Sequence, residues 1–157
     1  MNSERFGNPT GNKNILVGLH SHTRRIASWT IKGVLLHWER ERQSEAWKST
    51  KLIGGHSAGV KRVVWGNGGA FLLSCSYDQT TRAYVRKQQS TNINDETVHL
   101  DNFYEFSRAQ IHGYDIGEIG LWKVGQQFCD YLVCGAQEKV LRILEPSVHF
   151  VNYVNYL

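Results

Sequence analysis

Residues 55–84 read GHSAGVKRVVWGNGGAFLLSCSYDQTTRAY, and this stretch decides the fold. It holds two short apolar runs, one ending at Trp65 and one over 71–76, whose β-branched and aromatic residues predict two strands. The glycines between the runs supply the backbone freedom of a tight turn. After the second run, the carboxylate of Asp78 can accept hydrogen bonds from turn amides. The order is therefore Gly-His, strand, turn, strand, and then D-x-T-x-R-x-aromatic.

This order is typical of a WD-repeat blade, which packs four strands into about 40–45 residues. His56 would be buried at the start of the blade and would need a partner for each ring nitrogen. Ser74 or Ser76 on the second strand, together with Asp78 in the turn, can provide those partners. Tyr84 takes the place of the repeat's usual Trp, and its hydroxyl is expected to close the network.

The segments on either side repeat the pattern in weaker form. Trp38 lies 46 positions before Tyr84, at the aromatic position of an upstream blade, and Leu144 takes the same place downstream. We therefore divide the chain into a degenerate blade with a polar tail (1–54), the best-matching blade (55–108), and a second degenerate blade that ends in a C-terminal strand (109–157). The polar stretch 88–102 is predicted to be a long surface loop.

The fold class that follows is all-β, with about three WD-repeat β-propeller blades. Closed propellers need typically 4–8 blades to cover their apolar faces. Three blades leave both outer faces open. We therefore expect an incomplete propeller, either a fragment of a longer protein or one completed by another chain.

Composition agrees with a scaffold. The chain has 157 residues, 15 Gly against 2 Pro, and three cysteines without C-x-x-C spacing, which predicts buried reduced thiols. It lacks an apolar leader and any run near the ~20 apolar residues of a membrane span. We expect a soluble cytoplasmic or nuclear protein without membrane contact. The net charge of +4 is scattered in pairs, which favours a solvated surface over a nucleic-acid footprint.

The sequence also allows two hypotheses of chemical function, a hydrolase triad and a metal site. For both sets of residues a structural role is favoured. His56, a serine and Asp78 could form a hydrolase triad, but both serines lie inside a strand run and not on an exposed elbow. His20 and His22 would share one face of a strand, yet no third metal ligand lies at a predictable position. No P-loop, G-x-G-x-x-G or iron–sulfur spacing occurs, so we expect no enzyme activity, no cofactor and no metal.

The candidate contact residues lie near one rim of the blades. Tyr77 precedes the turn aspartate and would point outward, with Lys61 and Arg108 beside it. Tyr114 and Asp115 follow His112 near one rim, where a role in the turn and its packing is favoured over a contact with a partner. We expect His112 and Arg82 to be structural, His112 within the inter-strand network and Arg82 reaching along its strand to a neighbouring blade.

Three pieces of sequence resemble one family in particular. They are SYDQTTR (76–82), EFSRAQIHGYDI (105–116) and CGAQEKVLRIL (134–144), and together they resemble the WD-repeat subunits of the Elongator complex. The spacing between the pieces is right for one blade, and the match covers roughly residues 55 to 150. The sequence departs from the family pattern at Ala109, Cys134 and Gln137, where the family has Pro, Ser and Asp.

The resemblance implies a non-catalytic scaffold in a complex that modifies wobble uridines of tRNA. The implied partners are the large scaffold subunit and the catalytic radical S-adenosylmethionine subunit, with tRNA contacted only indirectly. Two other functions remain open. One is a WD-repeat adaptor in a different assembly, and the other is direct RNA binding by a basic, aromatic rim.

Overall fold

The computed structural model of the chain describes residues 16–22, 24–30, 32–40, 45–52, 54–93, 96–123 and 130–156. Within them the strands form three antiparallel sheets, and strands that are consecutive in sequence lie side by side. The first sheet contains β1 (Leu16–His22), β2 (Arg25–Thr30), β3 (Leu35–Arg40) and β4 (Trp47–Lys51). The second contains β5 (Val60–Gly66), β6 (Phe71–Ser76), β7 (Thr80–Ile93) and β8 (Glu96–Ile111), and the third β9 (Ile116–Lys123), β10 (Asp130–Ala136) and β11 (Leu141–Leu144). The prediction of an all-β fold with about three propeller blades is confirmed.

The same turn joins the second and third strands of each sheet. Its last residue adopts a left-handed backbone conformation, with φ of 78° at Gly33, 66° at Gln79 and 59° at Lys139. In all three turns the N–H of this residue donates to the carbonyl three positions earlier, at 3.1 to 3.2 Å. The repeat read from the sequence is therefore a geometric repeat as well, because equivalent residues close equivalent turns.

Two apolar layers join the three sheets. Successive side chains of a strand point to opposite faces, so the second sheet contributes to both layers. Leu72 packs in the layer against the first sheet, whereas Phe71 and Leu73 pack in the layer against the third. The first layer also contains Ala27, Trp29, Leu35, Leu52, Val60, Val63, Trp65, Tyr84 and Phe103, and the second Cys75, Ala83, Val85, Ile116, Ile119, Leu132, Cys134 and Val154.

The surface loop predicted over 88–102 is wrong. β7 and β8 continue to pair through this stretch, from Lys87 opposite Asn102 to Ile93 opposite Glu96. A two-stranded ribbon is held by backbone hydrogen bonds, which do not require apolar side chains. A polar composition therefore did not exclude strand pairing here.

The C-terminal strand predicted in 148–157 is also wrong, because α1 (Val148–Tyr156) is an α-helix. The Ser147 hydroxyl accepts a hydrogen bond from the backbone N–H of Phe150 at 3.3 Å, which is the contact of a helix N-cap. The ring of Phe150 lies 5.1 Å from that of Phe71, and Tyr153 stacks on Phe106 at 4.6 Å between centroids. Helix α1 thus packs on the second sheet. No helix in the described part of the chain is long and apolar enough to cross a membrane.

Candidate functional site

A buried polar network lies where the second sheet begins. The Nδ1–H of His56 donates to Asp78 Oδ2 at 2.9 Å, and the Ser74 hydroxyl donates to His56 Nε2 at 2.6 Å. The other Asp78 oxygen accepts from both the hydroxyl and the backbone N–H of Thr80, at 2.6 and 3.0 Å. The loop before β5 is thereby tied to the turn between β6 and β7.

Two members of this network were not predicted from the sequence. Thr80 connects Asp78 to Arg82, whose Nε donates to the Thr80 hydroxyl at 3.3 Å. Glu105 on β8 then accepts from Arg82 Nη1 with both carboxylate oxygens, at 2.6 and 2.7 Å. Among the described residues, Arg82 therefore pairs with a carboxylate of its own sheet, where the sequence predicted a contact with a neighbouring blade.

Burial and hydrogen bonding fix the protonation of this network. Burial opposes ionisation of Asp78, but hydrogen bonds from Thr80, His56 and the Ser57 N–H outweigh it and lower the pKa of Asp78 to about 2. Burial also lowers the pKa of His56, against the opposing effect of its hydrogen bond to Asp78. The neutral imidazole can therefore donate to a carboxylate on one side and accept from a hydroxyl on the other.

The order of atoms in this network is that of a Ser-His-Asp triad, yet its position argues for structure. The side chain of His56 and the whole of Ser74 are 0% exposed, and that of Asp78 is only 7% exposed. Ser74 lies inside β6, where every residue is buried. A catalytic nucleophile has to reach the substrate carbonyl, but the Ser74 hydroxyl is buried within the sheet. We therefore interpret the network as an anchor of the blade.

A second network of the same design lies in the third sheet. The Nδ1–H of His112 donates to Glu138 Oε1 at 3.1 Å, and its Nε2 lies 3.2 Å from the Cys134 sulfur. Arg142 Nε donates to the same Glu138 oxygen at 2.9 Å. Cys134, Glu138 and Arg142 keep the four-residue spacing of Ser74, Asp78 and Arg82. Burial raises the pKa of Cys134, so its thiol stays protonated and can donate to the imidazole.

Among its described residues, the first sheet shows part of this arrangement. Trp38 Nε1 donates to the Ser28 hydroxyl at 2.8 Å, between the positions that correspond to Tyr84 and Ser74. Lys32 occupies the position of the turn aspartate. The buried Tyr84 hydroxyl lies beside Ser74 and the Gly55 backbone, which oppose the rise in its pKa that burial causes, but without the geometry of a full hydrogen bond. Its expected role in closing the network stays a prediction.

Four of the predicted contact residues lie next to these networks, and we call them the exposed rim: Tyr77, Lys61, Tyr114 and Asp115. Tyr77 is 48% exposed, and the Lys61 amine lies 5.8 Å from the centroid of its ring, within the range of a cation–π contact. Tyr114 is 54% exposed in the connection between β8 and β9. Asp115, next to it, accepts a backbone hydrogen bond from Gln137 in the turn after β10. The structure thus brings Lys61 to Tyr77 and places Tyr114 on the loop that meets the next turn.

The remaining candidates lie elsewhere or outside the described atoms. Arg108 is exposed on β8 and lines a separate cavity with Phe150 and Glu145, next to α1. His20 and His22 belong to β1, but their side chains lie outside the described residues. In the described part of the chain, no three His, Cys, Asp or Glu side chains converge as metal ligands would.

A buried His-centred network, repeated at the same turn of successive antiparallel sheets, supports the assignment of the chain as blades of an all-β propeller. The fold is similar to that of the computationally designed Ika4 protein, with a TM-score of 0.55 and 11% sequence identity. That likeness covers 84% of this chain and 66% of the designed protein, and it concerns the fold alone.

The sequence is similar to Elongator complex protein 2 from plants, animals and yeast. Identity is 35% over 117 residues with the Arabidopsis thaliana protein, covering 73% of this chain. It is 32% over 131 residues with the human protein (81% of this chain) and 32% over 141 residues with the Schizosaccharomyces pombe protein (88%). The chain is therefore homologous to a section of Elongator complex protein 2.

The chain spans only 13–14% of the length of these relatives. No protein-family model matches it.

Proposed function

We propose that the chain acts as a non-catalytic scaffold section of the Elongator complex, in support of wobble-uridine modification of tRNA in the cytoplasm or nucleus. The observation that carries this proposal is the homology to Elongator complex protein 2 over most of the chain. The relatives are named as subunits of a complex. We infer that the partners are the other subunits, the large scaffold subunit and the catalytic subunit among them.

The exposed rim is the contact surface that we propose, and it consists of Tyr77, Lys61, Tyr114 and Asp115. Large, half-exposed aromatic side chains are the residues that most often anchor protein interfaces. Two hydrogen bonds hold the backbone at Tyr77 in place. The Tyr77 N–H donates to Gly59 O at 3.0 Å, and the Asp78 N–H donates to Ser76 Oγ at 3.1 Å. A rigid aromatic loses little conformational entropy when it binds.

A tagged pull-down with mass spectrometry tests the proposal. We expect the chain to recover Elongator subunits, and Tyr77→Ala to reduce that recovery at least about tenfold, as loss of an interface hot spot does. Tyr156→Ala is the matched control. It removes the same side chain from an 89% exposed position on α1, away from the rim, and recovery should stay unchanged.

Other outcomes separate the alternatives. Recovery of an unrelated assembly would make the chain a generic WD-repeat adaptor and would contradict the Elongator assignment. Equal loss in both tyrosine variants would remove the rim as the contact surface.

A further inference from the structure

A cavity of about 380 Å³ opens between the ends of the first and second sheets. It is lined by the turn 67–70, by Arg25, Arg86 and Lys87, and by Tyr156 at the end of α1. The turn lies before β6 and Tyr77 follows β6, so the length of the six-residue strand separates the cavity from the rim. At about 3.3 Å per residue this distance is roughly 20 Å. The cavity is therefore distinct from the proposed contact surface.

The lining is positively charged. Three of its residues are basic, and no carboxylate is among the described residues that line it. Two hydrogen bonds hold the Arg25 side chain in position. Its Nε donates to Glu39 Oε1 at 3.3 Å, and its Nη1 donates to Gly69 O at 3.5 Å. The guanidinium thus bridges the two sheets. Lys87 is exposed at the opening.

The backbone leaves room for a ligand at this place. Gly68 has a left-handed φ of 63°, and a Cβ added to it would meet no atom within 4 Å. The turn therefore presents open space and not a side chain. Tyr156, 89% exposed, stands at the same opening with its ring available for contact.

We propose that this cavity binds single-stranded RNA, with a backbone phosphate between Arg25, Arg86 and Lys87 and an adjacent base stacked on Tyr156. Guanidinium groups match phosphate oxygens in charge and geometry. Proteins that bind single strands combine a basic groove with aromatic platforms for the bases. A recessed cavity suits one or two phosphates, whereas a membrane surface would need a flat basic face. The inference does not depend on membership of the Elongator complex.

Fluorescence anisotropy of the full chain with a short labelled single-stranded RNA tests the site. We expect Lys87→Gln to weaken binding about fivefold and to reduce the slope of log affinity against log salt by about 0.7, the value for one lost phosphate contact. Tyr156→Ala should weaken binding about fivefold or more through loss of stacking. Lys32→Gln is the charge-matched control, because Lys32 is exposed beyond the far end of β2, and its effect should stay within about twofold.

Two results would overturn the proposal. Equal weakening by Lys87→Gln and Lys32→Gln would show diffuse electrostatic attraction without a site. If Lys87→Gln weakened RNA binding and Tyr156→Ala left it unchanged, the cavity would bind an anion without contacting an RNA base. Because Tyr77→Ala is tested only in the pull-down and Lys87→Gln only in the anisotropy assay, failure of one proposal is distinguishable from failure of the other.

Discussion

At the scale of single residues, Asp78 accepts several of the hydrogen bonds that hold the second sheet together. It accepts hydrogen bonds from His56, Thr80 and the backbone N–H of Ser57. We expect Asp78→Ala to lower the free energy of unfolding by about 3 kcal/mol, because it leaves several buried donors without an acceptor. Urea denaturation followed by circular dichroism measures the change.

Asp115→Ala is the matched control for Asp78→Ala. Asp115 lies in the connection after β8, and its backbone carbonyl, not its carboxylate, makes the contact to Gln137. Its replacement should cost less than about 0.5 kcal/mol, as is usual for a surface position. Similar losses in the two variants would show that the network does not stabilise the blade.

The sequence predicted part of this network and missed the rest for physical reasons. His56, Ser74 and Asp78 lie at positions that the repeat itself specifies, so their grouping could be expected. Glu105 lies 23 positions after Arg82, and their contact depends on the register of β7 against β8, which composition does not reveal. Thr80 could have been found, because a hydroxyl two residues after a turn aspartate commonly bonds to it.

At the scale of the element, the turn between the second and third strands takes a left-handed backbone at its last position, and at Gly33 the next blade also leaves no room for a side chain. Gly33 has φ of 78°, and a Cβ there would lie 2.5 Å from the Ala58 carbonyl oxygen. We expect Gly33→Ala to cost about 3 kcal/mol, since the backbone strain adds to a clash with main-chain atoms of the next blade. Thermal or urea unfolding would measure this loss.

Gly68→Ala separates the two causes. Gly68 also has a positive φ, of 63°, but no atom lies within 4 Å of an added Cβ. Its replacement should cost only the backbone strain, about 1 kcal/mol. If both variants lost the same free energy of unfolding, the clash of an added Cβ with Ala58 would contribute nothing to the loss in Gly33→Ala.

The tail shows why an element can be misread from its sequence. Its apolar residues do not alternate as a strand requires, because the polar residues His149, Asn152 and Asn155 recur at every third position over 148–156. The spacing of Phe150, Tyr153 and Val154 is that of one helix face, so the period already favoured a helix. Pro146 followed by Ser147 was the deciding signal, because proline interrupts a strand and serine is a preferred helix N-cap.

At the scale of the whole molecule, the second sheet is the common support of the other two. Its two faces belong to different apolar layers, and the boundary between them passes between adjacent residues of β6. Leu72 is 0% exposed in the layer against the first sheet, and Leu73 is 4% exposed in the layer against the third. The layers do not share these side chains, so each outer sheet should lose its support independently.

Leu72→Ala and Leu73→Ala test this independence. Each removes a buried leucine, which typically costs about 2–5 kcal/mol. We expect hydrogen exchange, followed by mass spectrometry, to accelerate in β2 and β3 for Leu72→Ala and in β9 and β10 for Leu73→Ala. The opposite outer sheet should keep its protection in each case, because its own layer stays filled. Uniform acceleration in both variants would instead show that the three blades unfold as one cooperative unit.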